Sequence, residues 1–209
     1  MDLILVRHGE TKYNRADVFR GLANLELDER GRLQAAAAAD YLATLSFEAF
    51  YSSPLLRAME TAEAIAAPHG RRVIALPDFI DVDYGGWSGK SVAEVRAGWP
   101  SEFETWINDP ERMTFPDGEA MIDVRERVAR GLASLDEDGD PGRILLAAHK
   151  LINRVILCVV LGMPLARIWR IEQCNGAINL ISRGAPGWML MEMNNTCHLS
   201  GIESSCQQT

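Results

Sequence analysis

The chain has 209 residues, of which 47% are hydrophobic and 24% are charged, and its formal net charge is −8 at pH 7. This length is sufficient for one substantial hydrophobic core, so we expect a single domain over residues 1–209. A negative charge without runs of like charges argues against a nucleic-acid partner and against an anionic membrane surface. An anionic ligand would therefore require a local cationic pocket.

The first part of the chain alternates between strand and helix patterns. Residues 3–6, "LILV", are apolar throughout and are typical of a buried strand. The alanine-rich segment 30–45 predicts a helix, and a second helix, opening at Pro54, lies between strand-like segments at 47–53 and 71–76. This alternation predicts a layered α/β domain with a largely parallel sheet.

From Asp81 the pattern changes to a glycine-rich loop, "DVDYGGWSGKS". Helical segments separated by proline-containing loops follow, and we expect residues of about 85–135 to form a helical cap beside a pocket. The remaining predictions are a strand ending at His149, an apolar helix after it, a strand pair at 177–183 and 187–193, and a polar, loosely held tail at about 194–209.

Neither the N-terminus nor a later segment has the length of a signal peptide core or a membrane span. The first apolar run contains four residues before Arg7, and the longest later run is 155–163. The four cysteines show no CxxC spacing. We therefore expect reduced thiols in a cytoplasmic protein, and no zinc site.

Two histidines and two arginines occupy the predicted carboxyl ends of strands. His8 follows "LILVR" and His149 follows "ILLAA", at the sheet edge where α/β proteins bind ligands. Arg7 precedes His8, and Arg57 lies in the first turn of a helix after another strand. Guanidinium groups match the oxygen pairs of phosphate, and the absence of a side chain at Gly9 suggests close approach of a ligand.

Phosphoryl transfer to an imidazole uses such residues without a metal or another cofactor. A neutral histidine attacks phosphorus, and the cations stabilise the charge on the phosphoryl oxygens. The leaving alkoxide then requires a proton from an enclosed carboxylic acid. The candidates for this acid are Asp78, Asp81 and Asp83.

Four segments, in order over residues 3 to about 182, resemble the histidine phosphatase superfamily, the phosphoglycerate-mutase-like proteins. They are "LVRHGETKYN", "SSPLLRAMETA", "IDVDYGGWSGKS" and "LLAAHKLINRVIL". The resemblance implies a three-layer α/β fold with a mixed, mainly parallel sheet flanked by helices and with a helical insertion beside the pocket. It also implies that His8 forms a phosphohistidine, and that Arg7, Arg57 and His149 complete the phosphate site.

The resemblance extends less firmly to the rest of the pocket. It implies that Asn14, Arg20 and Gly21 border the substrate. Two positions depart from the family pattern. Alignment on "GGWSG" places Asp81 where the acid is usually a glutamate, and Lys150 follows the second histidine where many members have glycine. Lys150 is either a further cation for the substrate or a solvated residue at a helix start.

The function expected from the resemblance is hydrolysis of a small phosphorylated metabolite, because the "NNTCHL" ending is similar to the phosphatase branch. Ribazole phosphate, phosphoserine, sugar phosphates and phosphoglycerates are all candidate substrates. The alternatives are a phosphoglycerate mutase and a non-catalytic module that binds phosphorylated ligands. The sequence contains no indication of the oligomeric state.

Overall fold

The computed structural model describes residues 1–14, 17–135, 142–185 and 187–202. Six strands form one sheet in the order β3-β2-β4-β1-β5-β6. Strands β1 to β4 are parallel to one another, whereas β5 runs antiparallel to both β1 and β6. The strands are β1 (Asp2–Arg7), β2 (Ala49–Ser52), β3 (Val73–Ala75), β4 (Arg143–Ala148), β5 (Ile178–Gly184) and β6 (Gly187–Asn195).

Helices cover both faces of this sheet. The α-helices are α1 (Glu29–Leu42), α2 (Leu56–Ala66), α3 (Val92–Gly98), α4 (Pro100–Asn108), α5 (Met121–Ser134) and α6 (Lys150–Val160). Short 3₁₀ helices span Ala67–His69, Pro77–Phe79, Gly85–Trp87, Pro110–Arg112, Leu165–Arg170 and Cys197–Leu199. No helix in the described residues is both long enough and apolar enough to cross a membrane.

The hydrophobic core has two parts, one on each face of the sheet. Helices α1 and α2 pack on one face, and α5, α6 and the residues around α3 and α4 pack on the other. The three-layer α/β fold with a mixed, mainly parallel sheet is thus confirmed. The apolar composition of β1 and β4 follows from this position, because both faces of these central strands are covered.

The sequence of α1 explains both its start and its close packing. The Asp28 side chain accepts a hydrogen bond from the Gly31 amide and caps the helix. Ala35, Ala38 and Ala39 are buried, and their small side chains allow the helix to lie close to the sheet. The helix ends at Leu42, three residues before the end that the alanine-rich pattern predicts.

Helices α3 and α4 lie in the segment predicted to form a cap. The buried aromatic residues of α4 pack with Trp87 and Phe115. The ring centroids of Trp87 and Phe115 are 5.1 Å apart. An isolated antiparallel bridge joins Val18, in the loop after β1, to Ser91 at the start of α3. The loop that follows the central strand is therefore tied directly to the cap.

Two expectations about the C-terminal region need correction. Asn194 and Asn195 belong to β6, and Leu199 is buried, so the described part of the predicted tail is packed and not loosely held, whereas residues 203–209 lie outside the described residues. Cys158 and Cys197 are free thiols, but Cys174 is disulfide-bonded, and Cys206 lies outside the described residues. Spacing along a chain does not reveal which cysteines meet in the fold.

Candidate active site

The two strand-end histidines lie side by side. β1 and β4 are adjacent parallel strands with Arg7 opposite Ala148, so the residues that follow them meet at one edge of the sheet. The His8 amide donates to the Ala148 carbonyl over 3.0 Å. The rings of His8 and His149 have centroids 5.2 Å apart, and both residues are buried.

A backbone contact defines the protonation of the His8 ring. Its Nδ1 lies 2.7 Å from the Gly9 carbonyl oxygen, which can only accept a hydrogen bond, so Nδ1 carries the proton. Burial lowers the pKa of His8 well below its usual value, and the nearby Arg57 charge lowers it further. The ring is therefore neutral at pH 7, and its Nε2 holds a free lone pair.

Arg57 is held in a fixed orientation by carbonyl groups of the loop after β1. It lies in the first turn of α2 and is 3% exposed. Its Nη1 donates to the Ala23 carbonyl over 2.6 Å, and its Nη2 donates to the Gly21 carbonyl over 2.9 Å. The same Nη2 lies 2.9 Å from Asp81 Oδ2, which makes a largely buried ion pair.

Asp81 is the carboxylate that the structure brings to the histidines. Its Oδ2 lies 3.6 Å from Nδ1 of His149. The other two candidates have different partners: Asp78 pairs with Arg130 at 2.7 Å, and Asp83 accepts a hydrogen bond from the Gly85 amide.

The other ring nitrogen of His149 has a serine partner. Nε2 lies 2.7 Å from the Ser53 hydroxyl, whereas the buried Nδ1 makes no hydrogen bond. Burial lowers the pKa of His149 well below its usual value, with further lowering by Arg57 and Arg7. A neutral ring whose Nε2 accepts from Ser53 carries its proton on Nδ1, where it can be donated to a phosphoryl oxygen.

Arg7 supplies a second buried guanidinium. Its Nη1 donates to the Gln173 carbonyl over 2.6 Å, and its buried Nε makes no hydrogen bond. Burial, reinforced by the Arg20 charge, lowers the pKa of Arg7 to about 9, so the group remains a cation at neutral pH. Two buried cations and two neutral imidazoles form a site for a doubly charged oxyanion.

Arg7, His8, Arg57 and Asp81 line a pocket of about 670 Å³, and Asn14, Arg20, Gly21 and Lys150 line it too. The polar atoms of Asn14 bond to Thr11 and Asn175, so this side chain braces the wall. Arg20 donates to the Tyr13 carbonyl. Lys150 lies 3.4 Å from Glu172, and burial together with the Arg7 charge lowers its pKa to about 8.

The interpretation of Gly9 as a point of ligand approach is wrong. A Cβ atom at Gly9 would lie 2.4 Å from the carbonyl oxygen of Gly31 in α1. The glycine is needed because the loop after β1 packs directly on this helix. Its amide also donates to the Thr61 hydroxyl over 3.1 Å.

The family model for the histidine phosphatase superfamily (branch 1) matches residues 3–196. The chain belongs to the histidine phosphatase superfamily. It is 32% identical over 197 residues to Phosphoserine phosphatase 1 of Hydrogenobacter thermophilus, a match that covers 94% of this chain and 93% of that protein.

Solved structures of similar proteins share the fold. The alpha-ribazole phosphatase from Shigella flexneri is 26% identical and superposes with a TM-score of 0.86, covering 93% of this chain and 96% of the other. Bacillus stearothermophilus YhfR superposes with a TM-score of 0.89 over 95% of this chain and 98% of its own, at 24% identity.

Sequence reasoning missed three residues of this histidine phosphatase site. Ser53 contacts His149, Gln173 contacts Arg7 through its carbonyl, and the Asn175 side chain donates to the His8 carbonyl over 3.1 Å. Ser53 had a usable signal, because it is the last residue of the predicted strand at 47–53 and so lies at a carboxyl end of the sheet. The other two lie in a loop before β5 with no recognisable pattern.

Proposed function

We propose that this chain is a phosphatase that hydrolyses monoesters of a small phosphorylated metabolite through a phosphohistidine on His8, with residues 1–209 acting as one domain. One observation carries the proposal. A buried, neutral His8 with its proton on Nδ1 lines one pocket with Arg7, Arg57 and Asp81, and the His149 ring lies 5.2 Å from the His8 ring. A cytoplasmic location stays a prediction.

In the first step, His8 Nε2 attacks phosphorus. A bond forms between nitrogen and phosphorus while the bond to the ester oxygen breaks, and the alkoxide takes a proton from Asp81. Arg7, Arg57 and the Nδ1 proton of His149 stabilise the negative charge on the phosphoryl oxygens. These three donors are buried, so bulk water does not weaken their interaction with the phosphoryl group.

In the second step, water attacks the phosphohistidine. Asp81, now a carboxylate, removes a proton from this water as the bond between nitrogen and phosphorus breaks. Inorganic phosphate leaves, and both His8 and Asp81 return to their initial states. The products are one alcohol and one phosphate for each ester and water consumed.

The ion pair between Asp81 and Arg57 fits this cycle. A phosphate group that binds Arg57 replaces the carboxylate as the partner of the guanidinium. The dianion then lies close to Asp81, and repulsion between like charges favours uptake of a proton by the carboxylate. Binding of the substrate thereby prepares the acid that the leaving group requires.

The experiment that tests the proposal is a search for the covalent intermediate. The protein is mixed with radiolabelled phosphate ester and quenched, and we expect acid-labile phosphate on His8. His8→Ala should lose the label and at least about 1,000-fold of kcat, since the nucleophile is absent. Normal turnover by His8→Ala would show the proposal to be wrong.

His69→Ala is the matched control, because the His69 ring packs on Phe47 and Phe50, away from the pocket. It should keep both the label and the turnover. Isomerisation of a phosphoglycerate faster than release of phosphate would instead identify a mutase. Stoichiometric binding of phosphate esters without turnover would identify a non-catalytic binding module.

A further inference from the structure

The pocket extends well beyond the phosphate-binding groups. Its volume of about 670 Å³ lies within the range of roughly 300–1,000 Å³ that is typical of sites for drug-sized ligands. The charged groups at the strand ends need only part of this space for a phosphoryl group. The remainder must accommodate the organic part of the ester.

We call the part of the pocket beyond the phosphate-binding groups the outer chamber. Its wall is mainly apolar and aromatic. The cap contributes side chains from α3 and α4, and the loop after β1 and the 3₁₀ helix at Leu165–Arg170 contribute the rest. These wall residues are Phe19, Val92, Phe103, Trp106, Ile107 and Trp169. A ligand with a large apolar surface would be desolvated against them, whereas a small polar group held by Arg20 and Lys150 would leave this apolar wall uncovered.

The two tryptophans are rigidly joined. Their rings meet edge to face with centroids 4.6 Å apart, and Nε1 of Trp169 donates to the Trp106 carbonyl over 3.2 Å. Arg154 lies 5.3 Å from the Trp169 ring centroid and donates through Nε to the Ile171 carbonyl. The aromatic wall is therefore preformed, which lowers the entropic cost of binding a flat group.

Ile107 is the wall residue with an exposed side chain. It lies on α4 and is 46% exposed, although its helical neighbours Phe103 and Trp106 are buried. A substitution at Ile107 can therefore change the apolar wall of the pocket without disturbing the core.

We infer that the natural substrate is a phosphate monoester of an alcohol that carries an aromatic or similarly large apolar group, and not phosphoserine. This inference rests on the proposed function, because it assigns the ester that His8 attacks. Phosphoserine phosphatases are among the relatives, so the distinction is a specific one for this chain.

The test compares two primary alkyl phosphates, naphthylmethyl phosphate and phosphoserine. Both leave as alkoxides, so differences in leaving-group chemistry are small compared with those between aryl and alkyl esters. We expect kcat/KM for naphthylmethyl phosphate to exceed that for phosphoserine by at least about tenfold, because desolvation of the ring contributes to binding in the transition state.

Ile107→Ser tests whether the outer chamber causes the preference for the aromatic ester. The change removes apolar wall at an exposed position, so folding should be retained, and the ratio of the two kcat/KM values should fall about threefold to tenfold. The matched control is Ile74→Ser in β3, which is 51% exposed and does not line the pocket. The control should leave the ratio unchanged.

Phosphoserine hydrolysis that equals or exceeds naphthylmethyl phosphate hydrolysis would overturn this inference and leave the phosphatase itself intact. An unchanged ratio in Ile107→Ser, or an equal fall in Ile74→Ser, would also overturn it. Failure of the protein to hydrolyse any phosphate monoester, with no label on His8, would overturn the proposed function instead.

Discussion

Asp81 differs from the usual glutamate of the family pattern by one methylene, yet it reaches both the Arg57 guanidinium and the His149 ring. The shorter side chain restricts the positions that the carboxyl group can take. Asp81 is therefore the residue at which the chemistry of this chain departs most from the family pattern.

The loss of activity in Asp81→Asn should depend on the leaving group of the ester. An amide cannot donate a proton as an acid does, so kcat/KM for alkyl phosphates should fall about 100-fold or more, and that for nitrophenyl phosphate less than about tenfold. Asp78→Asn is the control, since Asp78 pairs with the exposed Arg130. Equal losses on both kinds of ester would assign Asp81 a positional role only.

Ser53 is expected to act on His149 and not on the substrate. Ser53→Ala removes the hydrogen bond to Nε2, so the ring loses its fixed orientation and preferred tautomer, and kcat/KM should fall about tenfold. Ser52→Ala is the matched control, because the hydroxyl of this buried neighbour donates to the Ser53 carbonyl over 2.8 Å and not to His149. The measurements are kcat/KM and the free energy of unfolding of both variants. A lower kcat/KM in Ser53→Ala alone, with equal free energies of unfolding, would support the role of Ser53, and equal kcat/KM values in the two variants would refute it.

The packing of α1 against the loop after β1 positions the nucleophile. A Cβ atom at Gly31 would lie 2.0 Å from the Glu10 carbonyl oxygen, just as one at Gly9 would meet Gly31. The helix and the loop therefore touch through their backbones. Because His8 directly precedes Gly9, this contact fixes the position of the His8 backbone relative to α1.

Gly31→Ala should destabilise the protein by about 3 kcal/mol, because the added methyl group cannot be accommodated between two backbones. The measurement is the free energy of unfolding in urea. Gly98→Ala offers a contrast, since a Cβ atom there has open space within 4 Å and the residue ends α3. That variant should be neutral or slightly stabilised, and an equally mild effect of Gly31→Ala would contradict the packing described.

At the scale of whole elements, periodicity and composition correctly predicted the strands and the helices of all three layers. The second helix begins at Leu56, two residues after the proline expected to open it. Helix α5 lies within the segment predicted to form the cap, but it packs on α6 in an outer layer of the domain. Local patterns identify such elements, but their partners depend on the tertiary fold.

Burial of the two histidines couples the active site to the stability of the whole molecule. Both are neutral in the folded protein, since burial lowers their pKa below the value of about 6.5 that holds in an unfolded chain. Below about pH 6.5 the unfolded chain therefore binds more protons, and the free energy of unfolding decreases as the pH falls.

Urea unfolding between about pH 5 and pH 8 should show this decrease, with a slope of up to about 1.4 kcal/mol per pH unit for each histidine. His149→Gln should reduce the slope by the contribution of one proton. A slope unaffected by His149→Gln would show that this ring does not carry the effect.

The sequence by itself determined the α/β layers and identified His8, Arg7, Arg57 and His149 as candidates. Strand and helix formation depends on near neighbours along the chain, and these residues follow recognisable strands. His8, Arg7 and Arg57 lie in short motifs whose residue types suit phosphate binding.

Only the tertiary structure decided which groups meet these residues. It placed Asp81 within 3.6 Å of His149, placed Ser53 against His149, and showed that Gly9 makes room for a helix and not for a ligand. The strand order brings the ends of β1, β2 and β4 together from distant parts of the chain. Such contacts depend on packing between distant segments, which no local pattern contains.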